Sequence, residues 1–517
     1  MKPDRLRALA WWLLMLVAAP AVAATSTDAA VDRIVDDAMA RYRLPGLAVG
    51  VIENGEVVHV RTAGERVAGQ GDPITRDTRF KIASNTKAMT AATLARLVDA
   101  GKLRWDDPVK RWLPDFRMHD AWVGEQMQVR DLLIHNSGLR AGAGDLMLWP
   151  EPNTFTRADI IHGLAYLKPQ HSFRSSYDYD NLMYIVAGEV AAAAGGASYD
   201  ELVQREVFAP LGMSGCRVGE WTPLAGDLLA QPHVRRDGRN VAVRTDGDVV
   251  RASTMDAAGG VRCSLDDMLA WARSWLVPEG PAKGWLSKQQ RDAVWTPQMP
   301  MPVSRRMREW DNSHFSAYGY GWRLSDVDGQ FKVAHTGTLM GMYSAVTMLP
   351  DRGVGFVVLI NGEAEDARTA ITQALTKLYT RPGKGLTVDH YARLLDAEQA
   401  ARPATEKAPD TSSRKPLRAD DWAPKLGIYR DPWFGEVALC REQQTVRFRA
   451  AKSPLLSGIV QVAGQRTLVD WDEAEVDAEA WLEFTPDGHL RMAKVDPQAD
   501  FSYDYEDLDF TRVRDCE

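Results

Sequence analysis

Apolar and polar positions change rhythm three times along this chain. Asp28 to Arg43 repeats apolar residues at helical spacing, with Val31, Ile34, Val35 and Ala38 on one side, which predicts an amphipathic helix. Two strand-like runs follow, Leu47 to Ile52 and Glu56 to Val60. The Asn54-Gly55 pair between them predicts a tight hairpin, because both residues accept positive φ. From Ser84 to about Leu276 the pattern is mostly helical, broken by Gly- and Pro-rich loops. Strand character returns at Phe331 to Ala334, Ser344 to Leu349 and Val354 to Ile360. Strands at both ends with helices between them predict one antiparallel sheet closed by distant segments and flanked by helices. The helical middle is then a subdomain, and the fold class is α+β.

Beyond this region the texture shifts. Residues 386–418 read as a linker, with a short helical pattern around Tyr391 to Ala400 and a Pro-, Lys- and Ser-rich end. Residues 419–517 carry closely spaced strand-like runs, among them Val437 to Leu439, Thr445 to Phe448 and Trp481 to Phe484, and predict a small all-β barrel. At the other end, Lys2, Arg5 and Arg7 precede an apolar stretch from Ala8 to Ala19, and Ala21-Val22-Ala23 has the small-x-small form of a cleavage site. Residues 1–23 therefore read as a signal peptide, and residues 24–385 as the main mature domain. Export to the periplasm or medium is expected, with no stable membrane span after cleavage.

Composition narrows the partners. A net charge of -8 on 517 residues gives no basic field to attract nucleic acid or anionic lipid. The acidic run from Asp470 to Glu517 reads as a solvated face. The ten histidines show no metal-ligand spacing, so no metal or other cofactor is expected. Of the four cysteines, Cys440 and Cys516 fall in one module and either pair in an oxidising compartment or stay as buried thiols.

Three short strings carry the candidate chemistry: Ser84-Asn85-Thr86-Lys87, Tyr179-Asp180-Asn181 and His335-Thr336-Gly337. Ser84 opens an apolar-periodic helix, so its hydroxyl sits among unpaired N–H groups and Lys87 lies one turn on, on the same face. A serine hydroxyl needs a base within reach, and an amine can supply it. Ser-x-x-Lys alone says little, since Ser412 to Lys415 repeats it inside the linker; Tyr-x-Asn and His-x-Gly occur once each.

With Pro73 to Ala83 leading into Ser84, Val129 to Leu139, Ala258-Gly259-Gly260 and Tyr318-Gly319-Tyr320-Gly321-Trp322, the chain resembles class C serine β-lactamases and the related penicillin-binding peptidases and esterases, over roughly residues 30 to 380. The resemblance implies that Ser84 attacks a carbonyl to form an acyl-enzyme, with Lys87 assisting its deprotonation. Tyr179 would be general base toward Ser84 and then acid toward the leaving group. Asn181 would offer its amide to the acyl side, and the N–H groups of Ser84 and Thr338, next to Gly337, would form the oxyanion hole. A phenol near pKa 10 would have to fall by about 3 pH units, roughly 4 kcal/mol, and positive charge from Lys87 and His335 is the expected source. His135 reads as structural.

Class C β-lactamases and most penicillin-binding proteins have lysine where this chain has His335, a change that weakens a β-lactam reading. Histidine there resembles peptidases and amidases specific for D-residues, and residues 422–513 are similar to the lipocalin-like domain appended to some of them. The expected function is an exported serine peptidase or amidase on D-residue or cell-wall peptides. A β-lactamase or carboxylesterase is the alternative on the same scaffold, and a non-catalytic β-lactam or peptide sensor the alternative of another class. The barrel is left with three possible roles: capping the cleft, self-association into a homo-oligomer, or binding an apolar ligand.

Overall fold

The computed structural model describes residues 26–403 and 406–516, so the signal-peptide reading lies outside the described residues. An eight-stranded antiparallel sheet organises the larger domain. Its strands are β1 (Gly46–Glu53), β2 (Glu56–Gly64), β3 (Met299–Pro300), β4 (Ser316–Tyr318), β5 (Arg323–Val327), β6 (Gln330–Leu339), β7 (Met342–Leu349) and β8 (Val354–Ile360), in the spatial order β2-β1-β8-β7-β6-β5-β4-β3. The hairpin between β1 and β2 turns at Asn54 and Gly55 with φ of +50° and +84°. Distant segments do close the sheet: Leu47 pairs with Ile360 and Val51 with Phe356.

Strand alternation splits the core into two layers. Leu47, Val49 and Val51 of β1 and Phe356, Val358 and Ile360 of β8 face one side. There they bury Val31 and Val35 of helix α1 (Ser26–Tyr42) and Ile371 and Leu375 of a C-terminal helix (Glu365–Thr380). Ala48, Ile52, Val357 and Leu359 face the other side, toward the helical subdomain. Gly50 is needed there, because a Cβ would come 2.6 Å from Leu269.

The helix Val388–Ala400 is part of this larger domain and not of a linker. Val388, Tyr391 and Leu395 complete the layer built on α1, and Tyr391 packs on Trp310 with ring centroids 5.2 Å apart. The segment joining the two domains is correspondingly shorter. By Lys415–Pro416 the chain already pairs with a barrel strand, Ser457–Ala463.

The C-terminal barrel closes on itself: eight strands from Gly427–Asp431 to Asp509–Arg514 pair in sequence, and the last pairs with the first. Its interior is packed by Tyr429, Leu439, Phe448, Trp471 and Phe510, so side chains fill the space an apolar ligand would need. The barrel's core is continuous with the larger domain's; Phe434 packs on Phe155 at 5.6 Å. Cys440–Cys516 is a disulfide, as one of the two sequence readings allowed. A second disulfide, Cys216–Cys263, was not foreshadowed by spacing; Cys263 pairs with Phe80 beside the approach to Ser84. No helix among the described residues is long and apolar enough to cross a membrane.

Candidate active site

Ser84 lies in a 3-10 turn, Ala83–Asn85, that runs directly into helix α2 (Thr86–Asp99). The preceding residue, Ala83, has φ of +48°, an uncommon conformation for a residue with a Cβ, and it marks the sharp bend that presents Ser84. Two bonds fix the bend to β7: Asn85 Nδ2 donates to Ser344 Oγ, and Ser344 Oγ donates to the Ile82 carbonyl, both at 2.7 Å.

Lys87 is fully buried behind Ser84. Its Nζ is 3.2 Å from Ser84 Oγ, 2.8 Å from Asn181 Oδ1 and 2.9 Å from the Ala258 carbonyl oxygen. Two of these partners only accept, and the third is a hydroxyl. A neutral amine has two N–H donors and one lone pair, which matches that set, with the Ser84 hydroxyl donating to the lone pair. Burial lowers the Lys87 pKa to about 7, with Asp145 and Asp180 pulling it up and Arg323 pushing it down.

Tyr179 departs from the sequence-based expectation. Burial pushes the pKa of its phenol up to about 12, and the nearby Ser84 hydroxyl and Arg323 charge only partly oppose that. His335 does not supply the expected positive charge. It is buried, and desolvation with Arg323 and Lys87 nearby holds its pKa well below the usual histidine range. Tyr318 Oη lies 2.7 Å from His335 Nε2 and the Thr336 carbonyl 2.7 Å from Nδ1, so a neutral ring is satisfied at both nitrogens. Tyr179 therefore rests as a phenol rather than a phenolate, beside a lysine whose pKa is about 7. The side chain places His335 behind the cleft wall; Thr336 and Thr338, its alternates on the strand, line the cleft with Ser84, Tyr179 and Asn181.

β5 pairs with β6 only as far as Ala334, so the second half of β6 is left facing the nucleophile turn. Gly337 permits that contact. A Cβ there would lie 2.1 Å from the Ile82 carbonyl oxygen and 2.4 Å from Ser344 Oγ, so the group approaching the glycine is the nucleophile's own turn. Gly337→Ala is expected to push Ser84 away from β6 and lower kcat/KM about 100-fold, since a shift near 1 Å at a reacting centre has that effect. Steady-state hydrolysis of p-nitrophenyl butyrate by the folded variant measures it.

The Val129 to Leu139 string has a structural use. Ser137 Oγ donates to Asp180 at 2.8 Å, and the Asp180 N–H donates to His135 Nδ1 at 3.0 Å, which holds the Tyr179–Asn181 segment in place. His135 itself is buried against Tyr179, ring centroids 4.3 Å apart.

Sequence reasoning missed three contributors. Arg323, on β5, is half-buried at the cleft wall with its Cζ 5.7 Å from the Tyr179 ring, and its electrostatic partners are the phenols Tyr177, Tyr318 and Tyr179. It sits directly after the Tyr318 to Trp322 string, the one local hint available. Asp145 is fully buried and accepts from Asn181 Nδ2 at 2.8 Å. The barrel supplies the third group: Asp477, Asp500, Phe501, Ser502 and Tyr503 line the same cleft, whose volume is about 310 Å³. Part of the acidic C-terminal run thus faces the site rather than bulk water. Capping the cleft is the role the geometry gives the barrel. Among the described residues no cluster suited to a metal ion occurs.

Comparison with known proteins finds relatives along most of the chain. The chain is 26% identical over 400 residues to the unguisins hydrolase ungD' of Aspergillus campestris, covering 73% of this chain and 70% of that one. It is 27% identical to penicillin-binding protein 4 of Amycolatopsis lactamdurans (62% and 82% covered) and 29% identical to esterase EstB of Burkholderia gladioli (65% and 90%). The octameric penicillin-binding protein homologue from Pyrococcus abyssi shares the fold, with a TM-score of 0.57 at 18% identity over 89% of this chain and 97% of that one. The beta-lactamase family model matches residues 31–379, about two thirds of the chain, and the chain belongs to that family of serine hydrolases.

Proposed function

We propose that this protein is an exported serine hydrolase that works through a Ser84 acyl-enzyme and cleaves peptides or amides of D-residues, cell-wall peptides among them. One observation carries the catalytic part: Ser84 Oγ meets the Lys87 amine and the Tyr179 phenol on the floor of one cleft. Neutral Lys87 takes the Ser84 proton as Oγ attacks the carbonyl. The oxyanion faces the N–H groups of Ser84 and Thr338, a type of stabilisation worth about 3 kcal/mol per donor. Tyr179, neutral, gives its proton to the leaving amine and is reprotonated from Lys87. Water then repeats the cycle on the ester.

The cleft lining supports a peptide. Asp477 and Asp500 of the barrel stand with Arg244 and Arg323 of the larger domain, a set that suits a chain bearing both amine and carboxylate. Export is supported by the two disulfides, which persist in oxidising compartments. A carboxylesterase is the second reading, favoured by the aromatic lining of Trp149, Tyr177, Tyr343 and Phe501.

The test pairs D-alanine p-nitroanilide turnover with intact-protein mass after adding benzylpenicillin, for the mature protein and for Ser84→Ala. Anilide hydrolysis and a slowly released adduct, both absent from Ser84→Ala, are the expected results. Ester turnover without anilide cleavage would favour the esterase, and rapid penicillin consumption a β-lactamase. An adduct on Ser84→Ala would overturn the nucleophile.

A further inference from the structure

We propose that Ser502, on the barrel, is a positioning residue of the acyl-transfer site, acting on Lys87 through Asp145 and Asn181. The inference rests on the reading of Ser84 and Lys87 given above. Its basis is a continuous chain of hydrogen bonds between the two domains. Ser502 Oγ donates to Asp145 Oδ2 at 2.9 Å, Asn181 Nδ2 donates to the same oxygen at 2.8 Å, and Asn181 Oδ1 receives Lys87 Nζ at 2.8 Å. Lys87 in turn reaches Ser84.

Each link constrains the next. Asn181 has one face that donates and one that accepts. Because Asp145 takes the donating face, the accepting face is turned to Lys87, and the amine lone pair is left for Ser84. Asp145 is fully buried, and both of its hydrogen bonds fall on one oxygen. Ser502 is therefore one of the two donors that hold this carboxyl in its orientation.

The loop that brings Ser502 is anchored on both sides, so the contact is not a loose surface one. Asp504 is fully buried, takes the Gly144 N–H and forms an ion pair with the Arg140 guanidinium, and Asp507 forms a second ion pair with Arg140 Nε at 2.9 Å. Phe501 lies edge-on to the Tyr179 ring at 5.9 Å. Its carbonyl oxygen would be 2.6 Å from a Cβ on residue 142, so Gly142 lets the loop seat.

The electrostatic consequence has a definite sign. Burial raises the Asp145 pKa well above the usual carboxylate range; its donors, Asn181 and Ser502, oppose that by favouring the ionised form, whose negative charge favours the Lys87 ammonium. Removing the donor therefore lowers the Lys87 pKa. Lys87 also faces Asp180, Arg323, His135, His335 and the rings of Tyr179 and Tyr184; the substitution leaves all six in place.

The experiment measures kcat and KM for p-nitrophenyl butyrate from pH 5 to 10 with the full mature protein, Ser502→Ala, Ser502→Thr and Ser84→Ala. Ser502→Ala is expected to lower kcat about tenfold, leave KM within about twofold, and move the acid limb of kcat to lower pH, an effect at the low end of what supporting hydrogen-bond partners contribute. Ser502→Thr, which keeps the hydroxyl, should restore both. Ser502→Cys, similar in shape with a weaker donor, should fall between and keeps the test open if alanine disturbs the seating of the loop. Wild-type kcat and pH profile in Ser502→Ala, or a change in KM alone, would overturn the inference. If Ser84→Ala still turns over, the catalytic reading falls and takes the inference with it; if Ser84→Ala is dead and the Ser502 variants behave as wild type, only the inference falls.

Discussion

Lys87→Arg is expected to retain less than about one part in 10⁴ of wild-type kcat/KM at every pH, although it preserves the positive charge that a purely electrostatic lysine would need. The reason is protonation. Burial brings the Lys87 pKa to about 7, so roughly half of the amine is neutral at neutral pH and available as a base. Arginine stays protonated throughout the usable range and has no lone pair for the Ser84 proton. General-base catalysis contributes about 10²–10⁴-fold. The planar guanidinium also cannot match the tripod of Asn181, Ala258 and Ser84, so the loss falls at the upper end. The wild type should correspondingly lose activity tenfold per pH unit below about 7 and level off above it, because the working form is the deprotonated one. A profile of kcat/KM against pH on a reporter ester checks both. A flat profile down to pH 5 would show that Lys87 works as a cation.

Tyr179→Phe should divide substrates by leaving group. With its pKa pushed up to about 12, the Tyr179 phenol is a proton donor in the resting site rather than a base. Its task is to protonate a departing amine, which cannot leave as an anion. The variant should therefore cleave an anilide or amide about 10³-fold more slowly and a p-nitrophenyl ester less than about tenfold more slowly, since p-nitrophenolate leaves without a proton. Removing one oxygen from a ring packed on His135 and edge-on to Phe501 leaves little space behind, so the change isolates the proton. Equal losses on both substrates would instead return Tyr179 to the role of base toward Ser84, the role that the family resemblance implies.

The two readings of Tyr179 mark where sequence stops being informative. A string such as Tyr179-Asp180-Asn181 gives the functional groups and their spacing along the chain. It gives neither the burial of the tyrosine nor the Ser84 hydroxyl, Arg323 and Asp145 that act on it, and those set its pKa. The same holds for Gly337. The glycine stands in the His335-Thr336-Gly337 string, but the group that approaches it, the Ile82 carbonyl, belongs to a turn 255 residues away in sequence.

The sequence alone determined what is written in short-range pattern. The period of α1, the Asn54-Gly55 hairpin, the strand runs at both ends and the meander of the barrel are local alternations, each governed by neighbours a few residues apart. Ser84 at the head of α2 with Lys87 one turn on belongs to the same class. Tertiary structure decided what depends on distance and burial. The helix Val388–Ala400 joined the larger domain because its apolar face meets α1 and Trp310. Asp145 became part of the site because Asn181 and Ser502, 36 and 357 residues away, converge on one of its oxygens. The Lys87 pKa falls to about 7 because packing excludes water from the amine, a property of the assembled core that no stretch of chain carries by itself.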